Sequence, residues 1–582
     1  MKHLDDQVIL YLPVPLQFDD EGNVGAIPGF DPLFDTLAGT DNVHVTFKTP
    51  SGPRDFDLSK GTHSRIDFYT LSGRRALGAN AALEVKARLR TGTTLRNGLF
   101  AIGRPQSGSD YVASVWPHLA AAFPTAVETE IRQTDSGAPF PPDSNGNGLV
   151  VGANLLSVRL PMREFIGDAR LTGQLQQWGR HDLAMGLTYA GSRLDYDRMM
   201  GTILLDVRGQ ARRLDVVAVD GNGQQVGSLS DNGFVRYGSL YDAVTLKTAN
   251  LALYAADEWK LGEYWRIDLG GRWEQTHIGG RVEGSSTVDL GDPTILADDA
   301  VLAGTGIYHP VDRYFSGFSW TAGVNYHPDR DTGLFLRFTR IARLPSATEF
   351  YASPDRQDQA IVPITMAEAG LIIERGHWNM SAVAFRTHFA RLPFTDYRFD
   401  PATSIYVSQT SIADTAAMGV EMSAHVKLPG PFSIDVQATL QDSRYRNFRY
   451  NELSDGVAVS HDVTGNRLIR VPRMALRASP SIDLWSGRLR ISADLIHYSA
   501  RYADVANSQR LSAFSMINAQ ITARISEHAT LTINGTNLAN SLGLTEGNPR
   551  MGSFDVGGMS SRYFMARPEF GRTIRATIGL SY

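Results

Sequence analysis

The chain has 582 residues, and its 42% hydrophobic content excludes an intrinsically disordered protein. Fifty-six Lys and Arg against 61 Asp and Glu leave a net charge of −5, which excludes a strongly basic nucleic-acid binder. Zero cysteines exclude disulfides, thiolate nucleophiles and Cys-ligated zinc or iron–sulfur centres, and no apolar run approaches the ~18 residues of a membrane-spanning helix.

The amino terminus, MKHLDDQVILYLPVPLQFDDEGN, has two early aspartates and a short apolar stretch broken by prolines. A secretory signal needs basic residues, an apolar run of about 7–15 and a small-residue cleavage site, so this segment is not read as one. Further on, the sequence alternates with period two, the mark of strands. Ala81, Leu83, Val85, Ala87 and Leu89 oppose Ala82, Glu84, Lys86 and Arg88. Phe432, Ile434, Val436, Ala438 and Leu440 oppose Ser433, Asp435, Gln437, Thr439 and Gln441. Leu489, Ile491, Ala493 and Leu495 oppose Arg490, Ser492 and Asp494, and Ile517, Ala519, Ile521, Ala523 and Ile525 oppose Asn518, Gln520, Thr522 and Arg524. The chain ends on Ile574, Ala576, Ile578, Leu580 and Tyr582 against Thr573, Arg575, Thr577, Gly579 and Ser581.

A soluble β-sandwich alternates too, so connection lengths decide. Short turns are expected near Gly73–Ala79, Gly179–Asp182, Leu261–Tyr264, His327–Gly333, Arg375–His377, Lys427–Pro431, Trp485–Arg488 and Ser526–His528. Long polar stretches lie between them, at about 92–150, 193–248, 276–312, 344–365, 393–412, 443–472, 498–512 and 540–568. Strict alternation of short and long connections is what an outer-membrane barrel needs, with tight turns at one rim and large loops at the other. Trp178, Trp259, Trp265, Trp378 and Trp485 sit within about two residues of short turns, where an indole suits the headgroup level. The fold expected is all-β, a transmembrane antiparallel β-barrel with about 17 strands in this chain. An odd count leaves two alternatives open: a missed strand near Val8–Leu12, or strands upstream of Met1, which the lack of a signal segment favours.

Several segments, in order, resemble the barrel of TonB-dependent outer-membrane receptors. They are LALYAADEWKLGEYWRIDLGGRWE at 251–274, then FTRIARLPSATEF at 338–350, with Arg343, Pro345, Ser346 and Glu349 matching. Next come 366–385, with Glu368, Glu374 and Gly376, and MGVEM, with Gly419, Val420 and Glu421. The last hairpin is similar at Tyr502, Asp504, Asn537, Leu538 and Asn540, and Tyr582 resembles the terminal aromatic read by the barrel-assembly machinery, where phenylalanine is commoner.

The resemblance runs over roughly 60–582 and implies a twenty-two-stranded barrel in the outer membrane of a Gram-negative bacterium, in contact with outer-membrane lipid. It further implies a plug domain within the barrel and energised uptake, through TonB, of a scarce bulky ligand. A ferric siderophore is the first choice, with cobalamin or a saccharide as alternatives, and the small molecule or metal chelate is taken at extracellular loops. The plug, its TonB-contacting peptide, the signal and about five strands should precede the matching region. Residues 1–60 are therefore read as an extracellular-loop-like remnant and 61–582 as the barrel domain, truncated in this chain.

No enzyme chemistry is expected. His-Glu-x-x-His, phosphate-loop and Gly-x-Ser-x-Gly patterns are missing, and no cofactor, catalytic residue or metal ligand is nominated. DPTILADD (292–299) and SPDRQDQ (353–359) are acidic tips that read as solvated loop before cation sites. RYRNFRY (444–450) and SSRYFMARPEF (560–570) offer stacking and cation–π contacts for an anionic, catechol-like or sugar ligand, with loop packing as the competing reading. No substrate-binding residue is nominated. A plugless passive pore or a non-functional fragment stands beside the receptor, with a soluble β-rich enzyme or lectin more remote.

Overall fold

The structure is a computed structural model and describes residues 1–8, 13–19, 24–351, 359–400, 405–454, 457–547 and 562–581. Tyr582 and the tip at 353–358 lie outside the described residues. One antiparallel sheet forms the wall. Its strands in chain order are β1 Lys2–Val8, β2 Thr62–Ala76, β3 Ala81–Ser107, β4 Leu149–Gln176, β5 Arg180–Asp206 and β6 Phe234–Leu261. They continue as β7 Trp265–Val288, β8 Val301–Asp329, β9 Thr332–Arg343, β10 Val362–Arg375, β11 Trp378–Asp400 and β12 Ile405–Lys427. The last six are β13 Phe432–Ser454, β14 Met474–Leu484, β15 Leu489–Tyr498, β16 Phe514–Arg524, β17 Ala529–Thr536 and β18 Thr573–Leu580.

Each strand pairs with the one before it in sequence, from β1 on β2 through to β18 on β17. The wall therefore has one strand more than alternation suggested. The extra strand is Lys2–Val8, inside the stretch expected to be loop, and it pairs from Lys2↔Phe68 to Val8↔Thr62. Its sequence, KHLDDQV, carries too few apolar residues to show period two, so partner β2 and not pattern defines it. Among the described residues β1 pairs only with β2 and β18 only with β17, so these are the two edges of the sheet.

All eight short turns form where expected. At the turn between β4 and β5, Gly179 has φ 122° and a Cβ there would collide with the Lys260 carbonyl oxygen, so glycine alone fits. The long stretches differ from expectation. Much of 193–248, 276–312, 393–412 and 443–472 is continuous strand, for example 193–206 and 234–248, because cross-strand hydrogen bonds persist after the side chains turn polar. The 28 residues of β4 would extend about 90 Å, against an apolar band about 25 Å tall.

The alternation sorts the two faces. Residues with apolar side chains on one face stay open to the surroundings: Phe318 is 57% exposed, Leu336 58% and Ile578 66%. Such a continuous apolar belt is far larger than a water-facing surface tolerates and marks the lipid side. Below it lie Trp178, Trp259, Trp265, Trp378 and Trp485 at the turn rim; above it lie Phe165, Tyr189 and Tyr314, forming two aromatic girdles.

Arginine at Ile521 or Val436, both on the apolar face, should cost about 2–4 kcal/mol near the bilayer midplane and abolish the heat-modifiable folded band in membranes. Arginine at the adjacent inward positions Gln520 or Gln437 should leave that band intact. Equal tolerance on both faces would refute the lipid-facing assignment.

Candidate functional site

The inward face is polar, and its charges are largely matched within the wall. Asp168 accepts hydrogen bonds from Thr188 Oγ1 at 2.9 Å and Tyr254 OH at 3.1 Å. Asn325 donates to Asp268 at 2.7 Å, Arg337 to Glu368 at 2.6 Å, and Arg477 to Asp494 at 2.9 Å. Arg-x-Asp/Glu spacing recurs, as in Arg180–Asp182, Arg266–Asp268 and Arg272–Glu274, because residues i and i+2 of a strand share a face.

The residues matched by family resemblance take structural posts. Ser346 and Glu349 form a capping box on the turn 347–350, and Arg343 donates to Glu349 at 3.2 Å. This folds the loop after β9 back so that Phe350 is fully buried against Val244, Leu246 and Ile278 on the inward wall. Glu368 pairs with Arg337. At Gly419 a Cβ would collide with the Leu440 carbonyl oxygen. Asp504 accepts from Ser508 Oγ at 2.7 Å and Gln509 N at 2.8 Å, closing its loop. Asn537, at φ 45°, donates to the carbonyls of Ser541 and Phe570, and Asn540 accepts from Arg572 N, so the pair joins the final loop to β18.

At the extracellular rim the loops pack into one another. Residues 14–18 pair with 563–568, which pair in turn with 544–547, so the first and last long loops share a small sheet. Leu16, Phe30, Phe47 and Phe56 of the first loop pack on Leu99, Leu155, Ile203 and Phe234 of the wall strands. The helix 108–122 and the strands 128–133, 214–219 and 225–228 make a second core around Leu119, Ile131, Leu204 and Val216. Polar knots tie the two cores together. Asp206, fully buried, accepts from Arg212 N at 2.7 Å, Arg212 Nε at 2.8 Å and Asn145 Nδ2 at 3.1 Å. Lys48 and Tyr237 OH both meet Asp231, at 2.5 and 2.6 Å.

These cores absorb the aromatic loops considered for ligand contact. Tyr445, Phe448 and Tyr450 are buried with Ala413, Val463 and Val505, while Arg444 pairs with Asp442 and Arg449 with Asp462. Phe564, Met565 and Ala566 are buried, and Arg567 pairs with Glu546. Loop packing is thus the reading the structure supports for both. In 292–299, Asp292 accepts from Thr294 N and Oγ1, and Asp298 is buried.

A different set of residues converges where the tall wall of β12 and β13 steps down to β14 and β15. A cavity of about 860 Å³ opens there, within the range for small-molecule sites, and four arginines line it: Arg467, Arg473, Arg501 and Arg510. Phe385, Met418, Val420, Leu440, Met474 and Tyr502 give it a largely apolar side, with Leu440 belonging to the outward apolar face. Of its one carboxylate, Asp442, one oxygen accepts from Arg444 at 2.7 Å and the other has no hydrogen-bond partner among the described residues. Arg501 is only 7% exposed, and its guanidinium lies 5.2 Å from the centroids of both Tyr498 and Phe514. Its Nε and Nη2 have no hydrogen-bond partner, and burial lowers its pKa. Asn507 bridges the two contributing loops, accepting from Arg467 N at 2.8 Å and donating to Arg467 O at 3.0 Å. Sequence reasoning missed these arginines because they come from separate loops and meet only in the fold.

A family model described as TonB dependent receptor-like, beta-barrel matches residues 23–538. No curated protein matches the sequence. Among solved structures, the ferric-catecholate import receptor Fiu of E. coli K12 in its closed form is 15% identical, with a TM-score of 0.59 over 90% of this chain and 64% of that one. Its open form gives 13% and 0.54, over 89% and 62%. FpvAI in its complex with pyocin S2 gives 13% and 0.54, over 95% of this chain and 61% of that one. The likeness is one of fold, and the chain spans less than two thirds of each.

Replacing Asp206 with alanine would strand Arg212 without its counter-charge, a loss of about 3–5 kcal/mol for a buried pair. Amide exchange over 108–148 and 207–233 should speed up while the wall strands stay protected; unchanged exchange would show that the knot does not hold the loops.

Proposed function

The chain belongs to the TonB-dependent receptor-like β-barrel family, and from that premise we propose that it serves as the barrel of an outer-membrane receptor for energised uptake of a bulky anionic metal chelate, the ferric siderophore class. The arginine-lined cavity carries this reading. Four guanidiniums, one of them buried with two nitrogens unpartnered, line a space of about 860 Å³ that holds a single carboxylate, bonded to Arg444 through one oxygen. An anionic chelate would meet the open guanidiniums of Arg473 and Arg510, and its aromatic or carboxylate arms would suit Tyr502 and the positive charge of Arg501 behind it. Fiu, described as a ferric-catecholate import receptor, shares the fold. Cobalamin and saccharides, being less anionic, fit the cavity less well.

Energy for transport would come through TonB acting on a plug, and assembly through the terminal strand Thr573–Leu580. No catalytic role is assigned.

The test is binding of a ferric tris-catecholate, beside a neutral ferric hydroxamate, to the protein folded in detergent. The Arg501→Gln/Arg510→Gln double variant should weaken catecholate binding by roughly 10- to 100-fold, the scale of losing one or two charge-assisted hydrogen bonds. Equal affinity for the two chelates, with no effect of the double variant, would refute the reading. Steady ohmic conductance in planar bilayers would favour the passive pore instead.

A further inference from the structure

Unmatched positive charge gathers where the outward face of the wall leaves the apolar belt. Arg163 on β4, Arg193 on β5 and Lys247 on β6 are direct cross-strand partners in a single row. All three are exposed, and like charges opposite one another destabilise a sheet. Arg281 on β7 stands one row higher, on the same face, with its guanidinium 4.3 Å from the Tyr308 ring centroid.

The surrounding carboxylates neutralise only the middle member of this row, Arg193, and leave Arg163 and Lys247 unmatched. Asp195 pairs with Arg193 at 3.1 Å, Asp312 with His277 at 2.6 Å and Asp197 with Arg54 at 3.6 Å. Arg163 and Lys247 make no ion pair or hydrogen bond among the described residues. Just below the row, Phe165 and Tyr189 of the upper aromatic girdle lie with ring centroids 6.4 Å apart. Together these residues line an open groove of about 1060 Å³ on the outward face.

We infer that this groove seats the phosphate of a lipid headgroup in the outer leaflet, with the acyl chains lying along the apolar belt beneath it. The inference rests on the lipid-facing reading of that belt. Height carries it: the cations stand at the level where hydrocarbon gives way to headgroups, directly above the girdle. Charge carries it as well, since guanidinium and ammonium groups without partners match a phosphate's oxygens, and juxtamembrane cations draw anionic lipid. The groove opens sideways toward the membrane and offers a phosphate exposed cations in place of an enclosing pocket, which suits a tethered headgroup better than a free ion.

The test reconstitutes the protein in phosphatidylcholine nanodiscs containing a minority of phosphatidic acid, and counts retained lipid by native mass spectrometry. The parent protein should retain phosphatidic acid preferentially, less so at high salt, and excess inorganic phosphate should not displace it. Arg163→Gln/Lys247→Gln should lower retention roughly 10- to 30-fold, Arg163→Lys/Lys247→Arg should preserve it, and Lys86→Gln, on the inward face, should leave it unchanged. A heat-modifiable folded band checks that each variant assembles. Undiminished retention in the double glutamine variant would overturn the inference, and so would displacement by inorganic phosphate. Brominated acyl chains should quench the belt's tryptophans; failure there would instead bring down the lipid-facing reading beneath it.

Discussion

The controlling constraint is that hydrocarbon offers no partner to a peptide N–H or C=O, so each one must be met by a neighbouring strand. From β1 to β18 the wall meets this with one unbroken antiparallel ladder, each strand bonded to its neighbours in sequence. Local pairing of that kind needs only tight turns on one rim, which is why the eight short connections hold two to four residues while the other rim carries everything else. The period-two pattern follows from the same constraint. Once the backbone is committed to the ladder, solvent can be sorted only by side chain, apolar toward lipid and polar toward the interior.

The ladder does not stop where the lipid does. β3, β4, β5 and β6 run on well past the upper girdle, and there the once lipid-facing row continues as Leu99, Ala101, Leu155 and Ile203. Exposed to water, that row would be a liability. The first long loop covers it with Leu16, Phe47 and Phe56, and the opposite face is covered by the helix 108–122. The loop end is thereby a packed assembly, pinned by buried polar knots at Asp206 and Asp231.

Much of the wall was legible from the residues, because lipid exposure makes alternation strict: Phe432–Gln441 and Phe514–Arg524 read as strands without any partner in view. Lys2–Val8 did not, since its pairing with β2 and not its composition makes it a strand. The strand extensions at 193–206 and 234–248 read as loop because polarity rises there while hydrogen bonding continues. The rim was the least legible part. RYRNFRY shows aromatic and basic residues to any reader, yet its rings are spent on a core and two of its three arginines, Arg444 and Arg449, on carboxylates close by. Arg467, Arg473, Arg501 and Arg510 carry no local signature, and only the step in the wall brings them together.

Charge bookkeeping on the wall separates scaffold from site. A carboxylate two residues along the strand from an arginine shares its face, and the wall uses that spacing at Arg180–Asp182, Arg266–Asp268, Arg272–Glu274 and Arg444–Asp442. Pairs so arranged neutralise themselves wherever the strand goes and say little about function. Two groups of cations without such a partner gather beside an open space, the rim cavity around Arg501 and the outward row of Arg163 and Lys247. One opens among the extracellular loops and the other toward the membrane. The two are therefore selected by different partners, and a change at either should leave the other's chemistry untouched.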